Sequence, residues 1–150
     1  MRAISMWQPW ASLFVAGPKL HETRTWETLH RGWLLVHAAK RQPTVAEIKA
    51  FDTALEGAML RGMPRGALIG AVYIEWCRRC DDELRSSLSR ADALCGDFSN
   101  GRFAWRRSDT RAFANPIPYV GRQRFFEVPT SVLASNISDE SLTALGIPIP

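Results

Sequence analysis

The chain has 150 residues, of which 46% are hydrophobic and 23% are charged. These values are typical of a globular domain that buries its own core, and they argue against an intrinsically disordered chain or a miniprotein that depends on disulfides. The formal net charge is +4, and arginine supplies 16 of the 19 basic side chains. Because arginine matches phosphate and stacks on bases, this composition favours a polyanionic partner, although a GC-rich gene would enrich arginine as well.

Neither the cysteines nor the N-terminus indicate an exported or membrane protein. The chain has three cysteines, Cys77, Cys80 and Cys95, and an odd number does not suggest a disulfide framework. The first residues lack the apolar core of a signal peptide, and no apolar run approaches the roughly 20 residues that span a bilayer. We therefore expect a soluble, cytoplasmic protein that does not interact with membranes. Its oligomeric state does not follow from the sequence.

The sequence does not predict a metal or cofactor site. Cys77 and Cys80 form a lone Cys-x-x-Cys pair, whereas a structural zinc site needs two further ligands at suitable spacing. The three histidines, His21, His30 and His37, have no metal-ligand spacing to one another. We expect His21 to be exposed and His37, at the end of an apolar strand, to be held by hydrogen bonds.

Patterns in the first third of the chain predict three strands and two helices. Gly17 and Pro18 should end the first helix, because glycine suits a helix C-cap and proline prevents continuation. Thr44 and Glu47 form a capping-box pattern that should begin the second helix. The predicted elements are strands at 3–6, around 23–26 and at 33–38, and helices at 10–15 and from 44 to about 60.

The remaining residues predict further short strands and two helices. The predicted strands are at 67–76, 103–107 and 125–129, with an extended segment at 115–118; the predicted helices are at 81–94 and 139–145, the second capped by Ser138. These elements do not alternate as regular βαβ units. We therefore predict the α+β class, as a small mixed β-barrel with flanking helices, and a single domain that spans residues 1–150.

The stretch from 17 to 26 concentrates unlike functional groups between an apolar helix and an apolar strand. It contains Lys19, His21, Glu22, Arg24 and Trp26. Strand side chains repeat every two residues, so Glu22, Arg24 and Trp26 should lie along one side of an extended segment. A cation, a carboxylate and an indole on one strand face suit a ligand site better than a core.

Several segments resemble one family in combination. They are Ala3-Ile4-Ser5-Met6-Trp7-Gln8-Pro9-Trp10-Ala11-Ser12-Leu13, Gly17-x-Lys19-x-x-Glu22-x-Arg24-x-Trp26, Arg31-Gly32-x-Leu34-Leu35-Val36-His37-Ala38-Ala39-Lys40, Gly66-Ala67-Leu68-Ile69-Gly70 and Pro116-Ile117-Pro118-x-x-Gly121-Arg122-Gln123. This pattern resembles the ASCH domain (activating signal cointegrator-1 homology) over most of the chain. The resemblance implies a PUA-like β-barrel with flanking helices.

The resemblance also implies RNA or a nucleotide-like molecule as the ligand, in a cleft beside the Gly-x-Lys-x-x-Glu-x-Arg loop. A shared fold does not transfer an activity, so the residues of the site must support that argument. Trp105 is a further candidate for stacking a base at the mouth of the cleft. The candidate ligand-binding residues are Gln8, Trp10, Ser12, Arg24, Trp26, His37, Lys40, Trp105 and Arg122.

An enzymatic alternative rests on Lys19 and Glu22. Some relatives are small amidohydrolases that remove the acetyl group from N4-acetylcytidine, and others are described as single-strand ribonucleases. In the amidohydrolases a lysine is followed three residues later by a threonine nucleophile, and a distant glutamate completes the set. Here Glu22 stands at the nucleophile position, Thr23 should face the other way, and Glu75 is the candidate for the distant carboxylate.

A carboxylate at position 22 could activate a water as a general base or bind the amino edge of a base. Three functions therefore remain open from the sequence. The first is an RNA-binding module without chemistry, and the second is a small hydrolase in which Lys19 and Glu22 are catalytic. The third is an adaptor that binds another protein and neither RNA nor nucleosides.

Overall fold

The structure is a computed structural model that describes residues 1–54 and 62–149. Six strands and six helices alternate irregularly along these residues. The strands are β1 (Arg2–Met6), β2 (His21–Arg24), β3 (Gly32–Ala38), β4 (Ala67–Arg79), β5 (Phe103–Pro118) and β6 (Phe125–Glu127). The helices are α1 (Trp10–Ala16), α2 (Val45–Ala54), α3 (Asp82–Ser87), α4 (Arg90–Cys95), α5 (Thr130–Ala134) and α6 (Asp139–Ala144).

The strands form one mixed sheet in the order β2-β5-β4-β3-β1-β6. Only the β1–β3 pair is parallel among these strands, and the other pairs are antiparallel. The sheet curls into a half-barrel. Its two edges approach each other where Trp26, just after β2, packs edge-on against Phe125 of β6 with ring centroids 5.1 Å apart. The predicted α+β class with flanking helices is confirmed.

Both faces of the sheet are covered, and β3 shows this most clearly. Leu34 and Val36 pack inside the curl with Phe14 and Val15 of α1. Leu35, between them, packs on the outer face against the C-terminal helices. The prediction that this strand is buried on both sides is confirmed, because a continuous apolar run has no polar face to expose. Further core residues include Ile4, Met6, Ala38, Val72 and Ile74 inside, and Leu68, Ala71, Leu133 and Leu142 outside.

The local capping predictions agree with the structure. The Gly17 N–H donates to the Leu13 carbonyl at the end of α1. Thr44 and Glu47 form the capping box at the start of α2, since the Glu47 carboxylate accepts from the Thr44 N–H at 2.7 Å. Ser138 caps α6 through a hydrogen bond from the Ser141 N–H. The predicted helix extension from 55 to 60, including Leu55 and Met59, lies outside the described residues.

Two predicted boundaries were wrong for physical reasons. The predicted helix at 81–94 is two helices, because Ser89 is extended and caps a new helix by accepting from the Asp92 N–H. The predicted strand at 103–107 and the extended segment at 115–118 are one strand, β5, which runs along β4. Local propensity did not show this pairing, because the partner of β5 is separated from it in sequence.

Candidate functional site

A cleft opens between β2, the end of β1 and the end of α4. Its first half, which we call the aromatic lobe, has a volume of about 640 Å³. Three indoles reach it, together with a carboxylate and a guanidinium from β2. The lining residues are Ser5, Met6, Trp7, Trp10, Glu22, Thr23, Arg24, Thr25, Trp26, Leu94, Cys95, Gly96, Asp97 and Arg102.

The second half, which we call the basic lobe, also measures about 640 Å³. It shares Ser5, Trp7, Arg24 and Trp26 with the aromatic lobe, so the two lobes meet at these side chains. Its other lining residues come from the end of β3 and from the loop after β5. They are His37, Ala39, Lys40, Tyr119, Val120, Gly121, Arg122, Gln123 and Arg124, and none of them is acidic.

Glu22 stands between two cations at the wall of the aromatic lobe. One carboxylate oxygen, Oε2, lies 3.0 Å from Nζ of Lys19, and the other, Oε1, lies 2.9 Å from Nε of Arg24. Lys19 is only 1% exposed, whereas the Glu22 side chain is 12% exposed. Arg24 also donates from Nη2 to the carbonyl of Ser5 at 3.2 Å, which fixes β2 against the end of β1. Lys19 is therefore a buried support for the carboxylate, and Glu22 and Arg24 are the groups that reach the cleft.

Arg107 and Asp92 hold the loop that carries this ion pair. Arg107 donates to the carbonyls of Gly17 and Lys19 at 2.8 and 3.0 Å. Asp92 of α4 accepts from the backbone N–H groups of Leu20 and His21 at 2.7 and 3.0 Å. Its other oxygen lies 3.1 Å from Nδ1 of His21.

These contacts set the charge of Asp92 and the environment of His21. Burial alone would raise the pKa of Asp92, but the hydrogen bonds from the side chain and backbone of His21 and from Leu20 bring it below the ordinary value. His21 is buried, with its ring against Trp76 and Phe98. The expectation that His21 is exposed was therefore wrong, because its carboxylate partner lies about 70 residues away in sequence and gave no local signal.

His37 fastens the loop that forms the far wall of the basic lobe. Its ring lies 3.0 Å from the Ser5 hydroxyl through Nδ1 and 3.0 Å from the Tyr119 carbonyl through Nε2. A carbonyl can only accept, so Nε2 carries the proton and Nδ1 accepts from Ser5 when the ring is neutral. Burial lowers the pKa of His37, the Tyr119 hydrogen bond opposes this, and Lys40 adds to it. Gly121 lies directly over the ring, where a Cβ would collide with it.

The structure brings seven of the predicted site residues to the cleft. Glu22 and Arg24 face the same side of β2, as the alternation predicts, and Trp26 reaches both lobes from just beyond the strand. Trp10 lines the aromatic lobe while its ring packs edge-on against Phe51. The other three, in the basic lobe, are His37, Lys40 and Arg122.

Five other predicted residues do not line the cleft. Trp105 is fully buried in the core beside Trp26, so it is not at the mouth of the cleft; its strand position allowed either face, and the curl of the sheet turned it inward. Gln8 is buried and bonds to Ser12 and to the Pro64 carbonyl, so this pair ties α1 to the chain near β4. Lys19 lies behind Glu22, as described above.

Glu75 is also separated from Glu22. It pairs with Arg106, which is the neighbour of Trp105 on β5 and therefore points to the opposite face. The pairing of Glu22 with Trp105 across β2 and β5 places Glu22 on the inner face. The structure therefore does not bring Glu75 and Glu22 together.

Trp7 is the most exposed aromatic group of the cleft, and it is not among the site residues predicted from the sequence. It is 55% exposed and lines both lobes. The Arg41 guanidinium covers one face of its ring, 4.3 Å from the centroid. The sequence held one signal of a ligand contact here, which is a tryptophan directly after a short buried strand. Ser5 and Tyr119 are further lining residues that were not predicted as ligand contacts from the sequence.

The described residues contain no cluster of three metal ligands, and burial keeps their thiols from being activated. No group of three His, Cys, Asp or Glu side chains within 1–54 and 62–149 could hold a metal ion. Burial raises the pKa of the thiols of Cys77, Cys80 and Cys95, which keeps them protonated. None of the helices in this part of the chain is long and apolar enough to cross a membrane.

Comparisons with known proteins place this geometry in a family. A sequence model of the ASCH domain matches residues 4–118. Activating signal cointegrator 1 from Mus musculus is 38% identical over an alignment of 82 residues, and the Homo sapiens protein is 37% identical over an alignment of the same length. Each alignment covers 49% of this chain and 14% of the relative. The chain therefore matches a small part of these relatives.

A solved structure extends the likeness over nearly the whole fold. The crystal structure of ASCH from Zymomonas mobilis superposes with a TM-score of 0.61 and 19% identity, covering 91% of this chain and 95% of that chain. At this identity the likeness shows the fold alone. It confirms the prediction of a PUA-like arrangement of strands and flanking helices.

Proposed function

The chain belongs to the ASCH domain family, and on that premise we propose that it binds RNA in the two-lobed cleft. ASCH domains are generally RNA-binding. The proposal assigns the bases of a single-stranded segment to the aromatic lobe and its phosphates to the basic lobe. Single strands suit such a cleft, because their unstacked bases can insert between aromatic side chains.

The observation that carries the proposal is the position of Trp7. Its ring stands where the two lobes meet, one face is covered by Arg41, and about half of its surface is open to solvent. Removal of apolar surface from water is favourable, so a ligand that covers the exposed indole gains binding free energy. Stacking of a base on an aromatic ring is favourable for any base, and a neighbouring guanidinium strengthens such a platform.

The charges on the two sides of Trp7 differ in a way that fits a nucleotide. The aromatic lobe includes the carboxylates of Glu22 and Asp97, whereas the described lining of the basic lobe has cations and neutral groups only. Carboxylates repel phosphate but accept hydrogen bonds from the amino groups of bases. Lys40, Arg122 and Arg124 are exposed and have no acidic partner among the described residues, so they are available to phosphate.

Replacement of Trp7 by alanine tests the proposal. We expect Trp7→Ala to weaken binding of a fluorescent single-stranded RNA by about 5-fold to 150-fold in an anisotropy titration, because one stacked base contributes about 1–3 kcal/mol. Tyr73→Ala is the matched control, since Tyr73 is an exposed aromatic residue of β4 that lines neither lobe. Equal losses in both variants, or no loss in either, would contradict the proposal, and an adaptor function predicts no RNA binding at all.

Hydrolysis remains a second candidate because of the contact between Lys19 and Glu22. The carboxylate reaches the aromatic lobe with a buried ammonium 3.0 Å behind it. A cleft-facing carboxylate can take a proton from an attacking water. A screen of modified nucleosides and short RNAs would find any such activity. Glu22→Gln should then abolish turnover in a chain that is still folded, although with a lower free energy of unfolding because the buried Lys19 ammonium loses its counter-charge. Full activity in that variant would exclude Glu22 as the general base.

A further inference from the structure

We propose that a third depression, next to the basic lobe, is a backbone-binding subsite that extends the RNA footprint to one more nucleotide. This side groove has a volume of about 620 Å³ and is lined by Lys40, Gly66, Pro118, Tyr119, Val120 and Arg122. The inference rests on the proposed function, because it identifies the ligand of the cleft as an oligonucleotide that continues beyond it.

Continuity with the cleft is the first argument. Four residues of the side groove, Lys40, Tyr119, Val120 and Arg122, also line the basic lobe. The basic lobe in turn shares Trp7 and its neighbours with the aromatic lobe. The three depressions are therefore consecutive, and a strand that leaves the basic lobe along these shared residues enters the side groove.

The backbone builds this groove with specific contacts. Gly66 donates to the Ala38 carbonyl at 2.7 Å and accepts from the Tyr119 N–H at 3.0 Å, so its peptide joins β3 to the end of β5. Its φ is +65°, which favours glycine. A Cβ there would lie 3.1 Å from Cγ of Lys40, so glycine leaves room for the lysine stem to lie along the groove.

Charge and exposure identify the class of ligand. None of the described lining residues is acidic, and Lys40 and Arg122 are exposed cations. Arg65 adds a third exposed cation, with its guanidinium 3.5 Å from the Lys40 carbonyl. Val120, which is 74% exposed, stands at the lip shared with the basic lobe and offers an apolar contact to a ribose or base. Cations beside an apolar contact suit a sugar–phosphate backbone.

A length series of RNA tests the inference, because only longer strands can reach the side groove. Uridylates of two to six nucleotides would be titrated into the full chain by calorimetry at several salt concentrations. We expect the affinity to rise by about tenfold between the dinucleotide and the tetranucleotide, as one further charge-assisted contact forms. For the longer strands, the slope of log K against log salt should be steeper by about 0.7 for each added phosphate contact.

Arg65→Gln separates the side groove from the rest of the cleft, because Arg65 lies beside the groove and lines neither lobe. This variant should reduce the gain in affinity that comes with a longer RNA and should leave the affinity for the dinucleotide unchanged. Arg111→Gln is the matched control, since Arg111 is an exposed arginine of β5 outside all three depressions. It should behave like the unmodified chain.

The possible outcomes distinguish this inference from the proposed function. Binding that is equal for the dinucleotide and the hexanucleotide would overturn the side groove and leave the cleft proposal standing. Absence of binding at every length would overturn both. Competition by an acidic peptide that is as strong as competition by hexauridylate would also overturn the assignment to RNA, because a basic groove can recognise either polyanion.

Discussion

Lys19 and Glu22 form an ion pair that spans the boundary between the core and the cleft. The ammonium is almost fully buried, the carboxylate reaches the aromatic lobe, and 3.0 Å separates Nζ from Oε2. The ammonium also lies 5.4 Å from the centroid of the ring of Phe14, a residue of α1 that packs in the core. The most conspicuous cation of the Gly-x-Lys-x-x-Glu-x-Arg loop therefore supports the site from behind, and Arg24 is the cation that a ligand can touch.

This geometry predicts that Lys19 matters first for stability. Lys19→Met should lower the free energy of unfolding by about 1–3 kcal/mol, because the Glu22 carboxylate keeps Arg24 but loses its buried ammonium partner. Urea denaturation monitored by tryptophan fluorescence would measure the change. Lys49→Met is the control, since Lys49 is exposed on α2 and its loss should change stability by less than about 0.5 kcal/mol. If Lys19→Met leaves stability intact and abolishes RNA binding, Lys19 is a ligand contact.

Asp92 predicts a dependence of stability on acid pH. Its folded pKa is below the ordinary carboxyl value of 3.8, because the hydrogen bonds from His21 and Leu20 outweigh the opposing effect of burial. A lowered carboxyl pKa contributes stability that is complete above the unfolded pKa and is lost as the pH falls through the folded pKa. Asp92→Asn should therefore be less stable than the unmodified chain at neutral pH, and the difference should shrink below pH 3.8. Parallel stability curves for the two proteins at all pH values would contradict this assignment.

The contacts of His37 predict that its ring is neutral and has one defined tautomer. Because Nε2 donates to the Tyr119 carbonyl and Nδ1 accepts from Ser5, long-range ¹⁵N–¹H spectra at pH 7 should show Nε2 protonated and Nδ1 unprotonated. Burial lowers its pKa from 6.5, so its contribution to stability is complete above pH 6.5 and falls as the pH decreases toward the folded pKa. A His37 signal that titrates above pH 6.5 would show that the ring is not held in this way. Ser5→Ala should leave Nε2 protonated, because the Tyr119 carbonyl sets the tautomer and the Ser5 hydroxyl could pair with Nδ1 in either form.

The close packing of Gly121 on His37 predicts that this position in the wall of the basic lobe cannot accept a side chain without a shift of the loop. Any Cβ at this position would collide with the His37 ring and would lie 2.5 Å from the Ser5 hydroxyl. Gly121→Ala should therefore displace the loop that carries Arg122 and reduce RNA affinity, at a cost of about 1–3 kcal/mol in stability. A thermal melt and an RNA titration would measure both effects. Gln123→Ala, in the same loop at an exposed position, should leave the melting temperature nearly unchanged, and an equally stable Gly121→Ala would show that the loop can relax.

Local patterns predicted much of the fold because the relevant interactions are close in sequence. The capping box of Thr44 and Glu47, the helix end at Gly17 and the two-sided burial of Leu34 and Leu35 follow from spacing alone. Interactions across the chain were not predictable in this way. The Asp92 carboxylate that holds His21 of β2 belongs to helix α4, far away in sequence, and the split of the predicted 81–94 helix at Ser89 is what places Asp92 there.

The site was predictable in location and less so in the role of each residue. Alternation along β2 correctly gave Glu22 and Arg24 a common face, because strand periodicity is fixed by the backbone. It could not show that Lys19 turns inward from the preceding loop or that Trp105 faces the core. Those orientations depend on the curl of the sheet. The exposure of Trp7 depends likewise on where β1 ends relative to β2, which no local pattern specifies.

The most direct test of RNA binding in this cleft is the salt dependence of affinity in a double variant of the basic lobe. Arg122→Ser combined with Arg124→Ser removes two exposed cations from the lobe. The slope of log K against log salt for a single-stranded RNA should become shallower by about 1.4, because each lost phosphate contact contributes about 0.7. An Arg2→Ser and Arg111→Ser double variant, with the same change in charge outside the cleft, should keep the original slope. An unchanged slope in the basic-lobe variant, or an equal change in both variants, would contradict the assignment of RNA to this cleft.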